Sequence, residues 1–306
     1  MSPGLVRSTI IGCALLVASA PLKSTHAQAW LPLQGEGQIT ITYENLYVRD
    51  HFDYTGKRFD AGPIRTNTVV TTFEYGLTNK LTLDSELTHV TSKYEGFVGP
   101  VPHGPPDTGF YHPTFQDARI GIRYNVINRQ LIVTPFIATV IPTHHYETRG
   151  HTAVGRDLHE LQFGVNIGRD LEDILPRTYV QGRYSYAIAQ HVAQLNLNRS
   201  NADWEFGYYV TPRFSLRFTG AWQHSYGGIR IPLDSAMPDY HELHDRAAKS
   251  NFTRFGGGLS FSLTKFVDLH ADFGNTARGT NTHAARGMSL GISWRFSRGG
   301  FRVGKF

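Results

Sequence analysis

From about residue 35 onward the chain alternates apolar and polar side chains with a period of two, the pattern of strands that have one greasy and one wet face. In the first run Ile39, Ile41 and Tyr43 alternate with Gln38, Thr40, Thr42 and Glu44. Val69, Phe73 and Tyr75 then alternate with Val70, Thr72 and Glu74, and Leu81, Leu83 and Leu87 with Thr82, Asp84 and Glu86. Ile120, Ile122 and Tyr124 alternate with Arg119, Gly121 and Arg123. Residues 131–141 are apolar on both parities and contain Pro135, which lacks an N–H, so this stretch reads as an irregular strand or a bulge. Alternation resumes at 160–167, 180–186, 203–208, 214–223, 254–261, 267–273 and 288–296.

These twelve segments predict an all-β fold: a 12-stranded antiparallel transmembrane barrel of the outer-membrane type. Each segment is long enough to cross a membrane at a tilt. The connections alternate too. Short ones fall at 76–80, 128–130, 211–213 and 264–265, and long ones at 50–63, 94–113, 143–157, 189–200, 226–249 and 275–285. Only 169–177 is longer than a short turn should be. Short periplasmic turns opposite long external loops are the outer-membrane arrangement. The loop at 95–113, rich in Gly and Pro with Phe97, Phe110 and Tyr111, either folds into the mouth or forms a rim.

A soluble β-sandwich would also alternate. Two features favour the barrel. Aromatics sit at the ends of the apolar faces (Tyr43, Tyr75, Tyr124, Tyr186, Trp204, Tyr208, Trp222, Trp294), as membrane-interface girdles do. The ending Ser289, Gly291, Trp294 and Phe296 also resembles the terminal-strand signal read by the barrel assembly machinery, which is expected as a partner beside outer-membrane lipid; ten residues follow it.

Composition sharpens this picture at a few points. Mean hydropathy is −0.29, too low for a helical membrane protein, but a barrel needs lipid-compatible residues only at every second position. Residues 1–29 read as a cleaved signal peptide: Arg7, an apolar core at 10–18, and an A-x-A site at Ala27-Gln28-Ala29 that leaves 30–306 as the barrel. Cleavage after Ala27 fits almost as well. The sole cysteine, Cys13, opens the apolar core rather than closing it, so it is read as a leader residue and not a lipidation site. The net charge of +5 comes with no basic block interleaved with aromatics, so no nucleic-acid partner is expected.

The wet face supplies the candidate chemistry. Glu44, Glu74, Asp84, Glu86, Asp117, Arg119, Arg123, Glu160, Arg183, Arg217, Arg254 and Arg295 are expected to line the lumen and any solute pathway, together with Asp203, Glu205, Asp268 and Asp272. Arg pairs with carboxylates through a planar fork, so this set suggests ion networks across the lumen. Such networks would hold the barrel's shape, or Arg119, Arg123 and Arg183 would form a basic ladder that orients a polar or anionic solute. Two loop clusters, His144, His145 and His151, and His241 and His244 with Asp234, Asp239 and Asp245, have no metal-site spacing and read as solvated histidines; no metal or cofactor is expected. Ser225 follows His224, and Ser185 lies near Arg183, but no G-x-S-x-G occurs and no enzyme is expected. The sequence therefore suggests a channel for small solutes. A lipid-acting barrel enzyme and an adhesive barrel with a sealed lumen are the alternatives.

Three stretches carry a family resemblance: Phe73-Glu74-Tyr75-Gly76-Leu77-Thr78-Asn79-Lys80-Leu81-Thr82-Leu83, the strand from Asp117 to Tyr124, and the strand from Gln181 to Tyr186. They resemble the outer-membrane family named for the meta-pathway of phenol degradation, over about residues 35–296. The resemblance implies a barrel that passes small organic or aromatic solutes and has no catalytic residues.

Overall fold

The computed structural model describes residues 29–96, 104–230 and 243–297. The leader with Cys13, loop residues Phe97, Asp234, Asp239 and His241, and the residues after Ser297 lie outside this set. Twelve long strands run in chain order: β1 (Glu36–Phe52), β2 (Arg58–Gly76), β3 (Leu81–Tyr94), β4 (His112–Tyr124), β5 (Leu131–Pro142), β6 (Glu160–Asp170), β7 (Thr178–Ala189), β8 (Arg199–Thr211), β9 (Phe214–Ser225), β10 (Asn251–Ser262), β11 (Val267–Thr280) and β12 (Arg286–Ser297). Each pairs antiparallel with its sequence neighbours, and β1 also pairs with β12 from Glu36 opposite Ser297 to Tyr47 opposite Arg286. The sheet closes on itself, so no open edge remains.

The period-two pattern becomes two surfaces. Ile41, Ile120, Phe163, Phe218, Leu290 and Trp294 point outward and are exposed, as are Tyr43, Tyr124, Tyr208 and Trp222. A continuous apolar wall with aromatics near its margins is costly in water and stable in lipid. Thr40, Thr42, Thr82, Asn166, Ser289 and Ser293 point inward and are buried.

One expectation is corrected. The loops placed at 50–63 and 275–285 are mostly strand: β1 and β2 are joined only by 53–57, and β11 continues to Thr280, after which Thr282 and His283 pair back onto β1. At ~3.3 Å per residue and ~40° tilt, the 17 residues of β1 rise ~43 Å, well beyond a ~25 Å apolar band. Above that band the outer face meets water and not lipid, polar residues fall on both faces, and the alternation fades. The segment around Pro135 is irregular as expected, but on one side only: toward β6 it is a regular strand with Pro135 opposite Val165. Its pairing with β4 breaks between Phe136 opposite Arg123 and Val133 opposite Ile127. A proline is tolerated where the ladder is already interrupted.

Candidate functional site: the barrel lumen

All twelve candidate lumen residues sit at inward-facing strand positions, and nine of them line a single cavity of about 430 Å³. The exceptions are Glu44, Arg217 and Arg295, which face inward away from it. Asp203, Arg199, Asn166, Phe136 and Phe252 complete much of the lining. Arg199, within the long connection read at 189–200, is the first residue of β8. The inward direction of Phe136 was hidden because its segment is apolar on both parities.

The ion pairs run along the wall, not across the lumen. Arg119 on β4 bonds Asp84 on β3, and Arg123 reaches Glu74 on β2 at 2.9 Å and Asp84 at 3.4 Å. Arg199 on β8 meets Glu160 on β6 at 2.6 Å, Arg217 on β9 meets Asp272 on β11 at 2.6 Å, and Arg295 meets Asp268 at 2.5 Å. In each of these pairs the partner is one or two strands away, so these contacts are wall pairs and not the expected cross-lumen networks. The reason is reach: a 12-strand barrel with ~4.8 Å strand spacing and ~40° tilt has a backbone diameter of ~24 Å. Two side chains from opposite walls do not span that gap, whereas neighbours on one wall meet easily. The basic ladder is likewise divided: Arg119 and Arg123 are occupied by Asp84 and Glu74, while Arg183 lies over the Phe136 ring at 4.2 Å.

Each end of the lumen is covered. At the short-turn end, residues 29–35 cross from β1 to the far wall. The Gly35 N–H donates to the Gly76 carbonyl and that of Gln34 to Asn79. On the opposite side Thr134 donates to the Ala29 carbonyl at 2.8 Å, Ala29 is fully buried, and Trp30 packs edge-on against Tyr179 with centroids 6.0 Å apart. Six residue steps of ~3.3 Å from Ala29 to Gly35 give ~20 Å, close to the ~24 Å backbone diameter.

At the other end the loops interlock. Leu158, Ala189, Val192, Leu197, Ile229 and Ala247 form a small apolar core drawn from three connections. Arg246 donates to the carbonyls of Arg156 and Asp157 at 3.0 and 2.8 Å. Asp107, in the described part of the loop at 95–113, docks on the next long loop and accepts from the ring and backbone of His151 and from the backbone and hydroxyl of Thr152. Burial opposes the Asp107 charge, yet these donors outweigh it and hold its carboxyl below the usual range. His151 in turn stacks on Tyr94 at 4.5 Å, and His51 on His283 at 4.4 Å. Burial, with Arg254 next in weight, pushes His283 down to about 4. These histidines serve packing, and no metal-holding cluster occurs among the described residues.

The serine pairs noted in the sequence do not assemble. Ser225 is buried and donates to the Ser250 carbonyl, while His224 points the other way and stacks on Trp222. Ser185 and Arg183 both face inward on β7, but no bond joins them.

The sequence matches no family model and no curated protein. Among solved structures, an outer membrane channel from Pseudomonas putida F1 aligns with a TM-score of 0.66 at 14% identity, over 87% of this chain and 97% of that one. The NanC porin aligns with a TM-score of 0.47 at 10% identity, over 83% and 98%. The translocator domain of the autotransporter NalP from Neisseria meningitidis gives 0.48 at 11%, over 87% and 90%. At this identity the likeness to the Pseudomonas channel establishes architecture alone: this chain is a closed 12-stranded antiparallel barrel with the fold of that outer-membrane channel.

Proposed function

We propose that the protein is an exported channel of a Gram-negative-type bacterial outer membrane, passing small polar organic solutes. The observation that carries the reading is the 430 Å³ polar cavity inside a closed barrel whose ion pairs hug the wall and leave the axis to solute. The resemblance to the phenol meta-pathway family supports small organic or aromatic solutes. The charged lining favours solutes with polar groups over strongly hydrophobic ones. Ser289, Gly291, Trp294 and Phe296 are proposed as the segment presented to the barrel assembly machinery before β12 is zipped between β1 and β11. Purified protein in planar bilayers should give discrete conductance steps in KCl, and proteoliposomes should swell in small organic solutes.

The covered ends favour one competing reading, a sealed barrel that displays its loops. A folded barrel that gives neither steps nor swelling would establish that reading instead.

A further inference from the structure

The charges around the lumen cavity are satisfied with two exceptions. Arg119 is held by Asp84, Arg123 by Glu74, and Arg199 by Glu160. Asp117 accepts from the Tyr146 hydroxyl at 2.7 Å, and Asp203 and Arg254 are engaged with other groups. This leaves Arg183 on β7 and Glu86 on β3. Both line the cavity and both are half-buried; among the described residues neither takes part in an ion pair or a hydrogen bond. They are near enough for the Glu86 charge to act on Arg183, yet they do not touch.

We propose that Arg183 and Glu86 together bind a small zwitterion, an amino carboxylate. The guanidinium fork takes the solute's carboxylate and Glu86 takes its ammonium. This deepens the channel reading and rests on it, since the lumen is the solute's route.

Three observations support a zwitterion over a simple ion. Arg119 acts on Arg183 together with Asp203, Asp84 and Glu86, so a lone anion gains the fork but meets three carboxylates against one further cation. A lone cation at Glu86 has Arg119 and Arg183 nearby in the same lining. A zwitterion meets both free groups and adds no net charge. The fork is also preorganised. Arg183 rests on Phe136, and that ring lies against Gly164, where an added Cβ would strike the ring at 2.8 Å as well as the Tyr184 carbonyl. A held guanidinium loses little freedom on binding. Phe136, Val140, Ala221 and Phe252 add apolar lining for the solute's body, and about 430 Å³ lies within the usual range for small-molecule sites.

The test is calorimetric titration of the detergent-solubilised barrel at pH 7 with L-phenylalanine, phenylacetate and 2-phenylethylamine, which share one body and differ in their charges. L-Phenylalanine should bind about tenfold or more tightly than either analogue, as one charge-assisted contact is lost in each. Arg183→Gln should bring L-phenylalanine down to the level of 2-phenylethylamine, and Glu86→Gln to the level of phenylacetate. Arg183→Lys, which keeps the charge and loses the fork, covers the case in which the Gln variant fails to show the heat-modifiable gel mobility of a folded barrel. Equal binding of phenylacetate and L-phenylalanine, unchanged binding in the folded variants, or no measurable heat overturns the site. KCl conductance reads the channel separately. A conducting barrel without this preference overturns the zwitterion site alone, and a silent barrel that binds L-phenylalanine overturns the channel alone.

Discussion

Two Arg–carboxylate contacts of similar length should differ several-fold in what they contribute to stability, because they differ in burial. Arg123 has a side chain 4% exposed and lies between Glu74, 11% exposed, and Asp84, 9%. Replacing it with Met removes the cation but leaves both carboxylates in place, with only Arg119 on Asp84 to compensate. Breaking a buried pair from one side costs about 3–5 kcal/mol, and that is the loss expected for Arg123→Met. Arg295 has a side chain 36% exposed and its partner Asp268 is at 22%, so water screens the pair. Arg295→Gln should cost about 0–1 kcal/mol. The assay is equilibrium urea unfolding in phospholipid vesicles, read by the fluorescence of Trp30, Trp204, Trp222 and Trp294. Adding Glu74→Gln to Arg123→Met should return much of the lost stability, since the stranded carboxylate is then gone. Equal small losses for both single variants, or no recovery in the double variant, would refute the view that burial sets the energy of these wall pairs.

Other outcomes follow from the two covered ends. His283, above the apolar band and facing His51, His151, Arg254 and Asp245, is neutral when folded, with its pKa lowered from 6.5 to about 4. Its contribution is full above pH ~6.5 and is lost as pH falls toward ~4, by about 3 kcal/mol in total; hydrogen exchange at residues 50–52 and 281–284 should quicken over that window, and flat rates would count against it. Because Ala29 is fully buried and its carbonyl is bonded to Thr134, cleavage after Ala27 is expected, and the intact mass of the mature protein should correspond to a start at Gln28, not at Trp30. Deleting residues 29–33 should raise single-channel conductance with the heat-modifiable mobility intact; unchanged conductance would mean that the crossing segment does not limit flow. Gly164→Ala, whose Cβ meets the Tyr184 carbonyl as well as the Phe136 ring, should weaken L-phenylalanine binding about as much as Arg183→Gln does in protein that keeps its heat-modifiable mobility, whereas wild-type affinity would show that the ring does not set the fork.

The membrane-embedded part of the fold was legible because lipid and lumen impose opposite chemistry on successive residues. Ile39, Ile41 and Tyr43 could only face one way once Thr40, Thr42 and Glu44 faced the other. The same logic placed every candidate lumen charge on the inner face. Legibility stopped where that contrast stopped. The hairpin extensions around His51 and His283 lie beyond the lipid band and carry polar residues on both faces, so they resemble loops. Residues 131–141 have the opposite problem, being apolar on both faces, and this concealed the inward Phe136. Pairing choice was also beyond the pattern: nothing in a single strand tells Arg123 that its acid is Glu74, two strands away, and not one on the opposite wall. The crossing segment 29–35 gave no periodic signal, because its contacts are backbone and turn contacts with residues 41 and 105 positions further on, as in Gly35 to Gly76 and Ala29 to Thr134.

The wall-hugging ion pairs have a consequence for electrostatics along the axis. A lone lumen charge about 8 Å from a passing ion, at an effective dielectric of about 40, acts on it with about 1 kcal/mol. When its counter-charge sits beside it at nearly the same radius, the two contributions cancel to a few tenths of that. Arg123 with Glu74, Arg199 with Glu160 and Arg217 with Asp272 are such tangential dipoles. Along these stretches the barrel carries formal charges and yet presents a nearly flat potential to anything travelling down its centre, with Arg183 and Glu86 as exceptions. Discrimination comes at close range, where a solute leaves the axis and meets one side chain at a time.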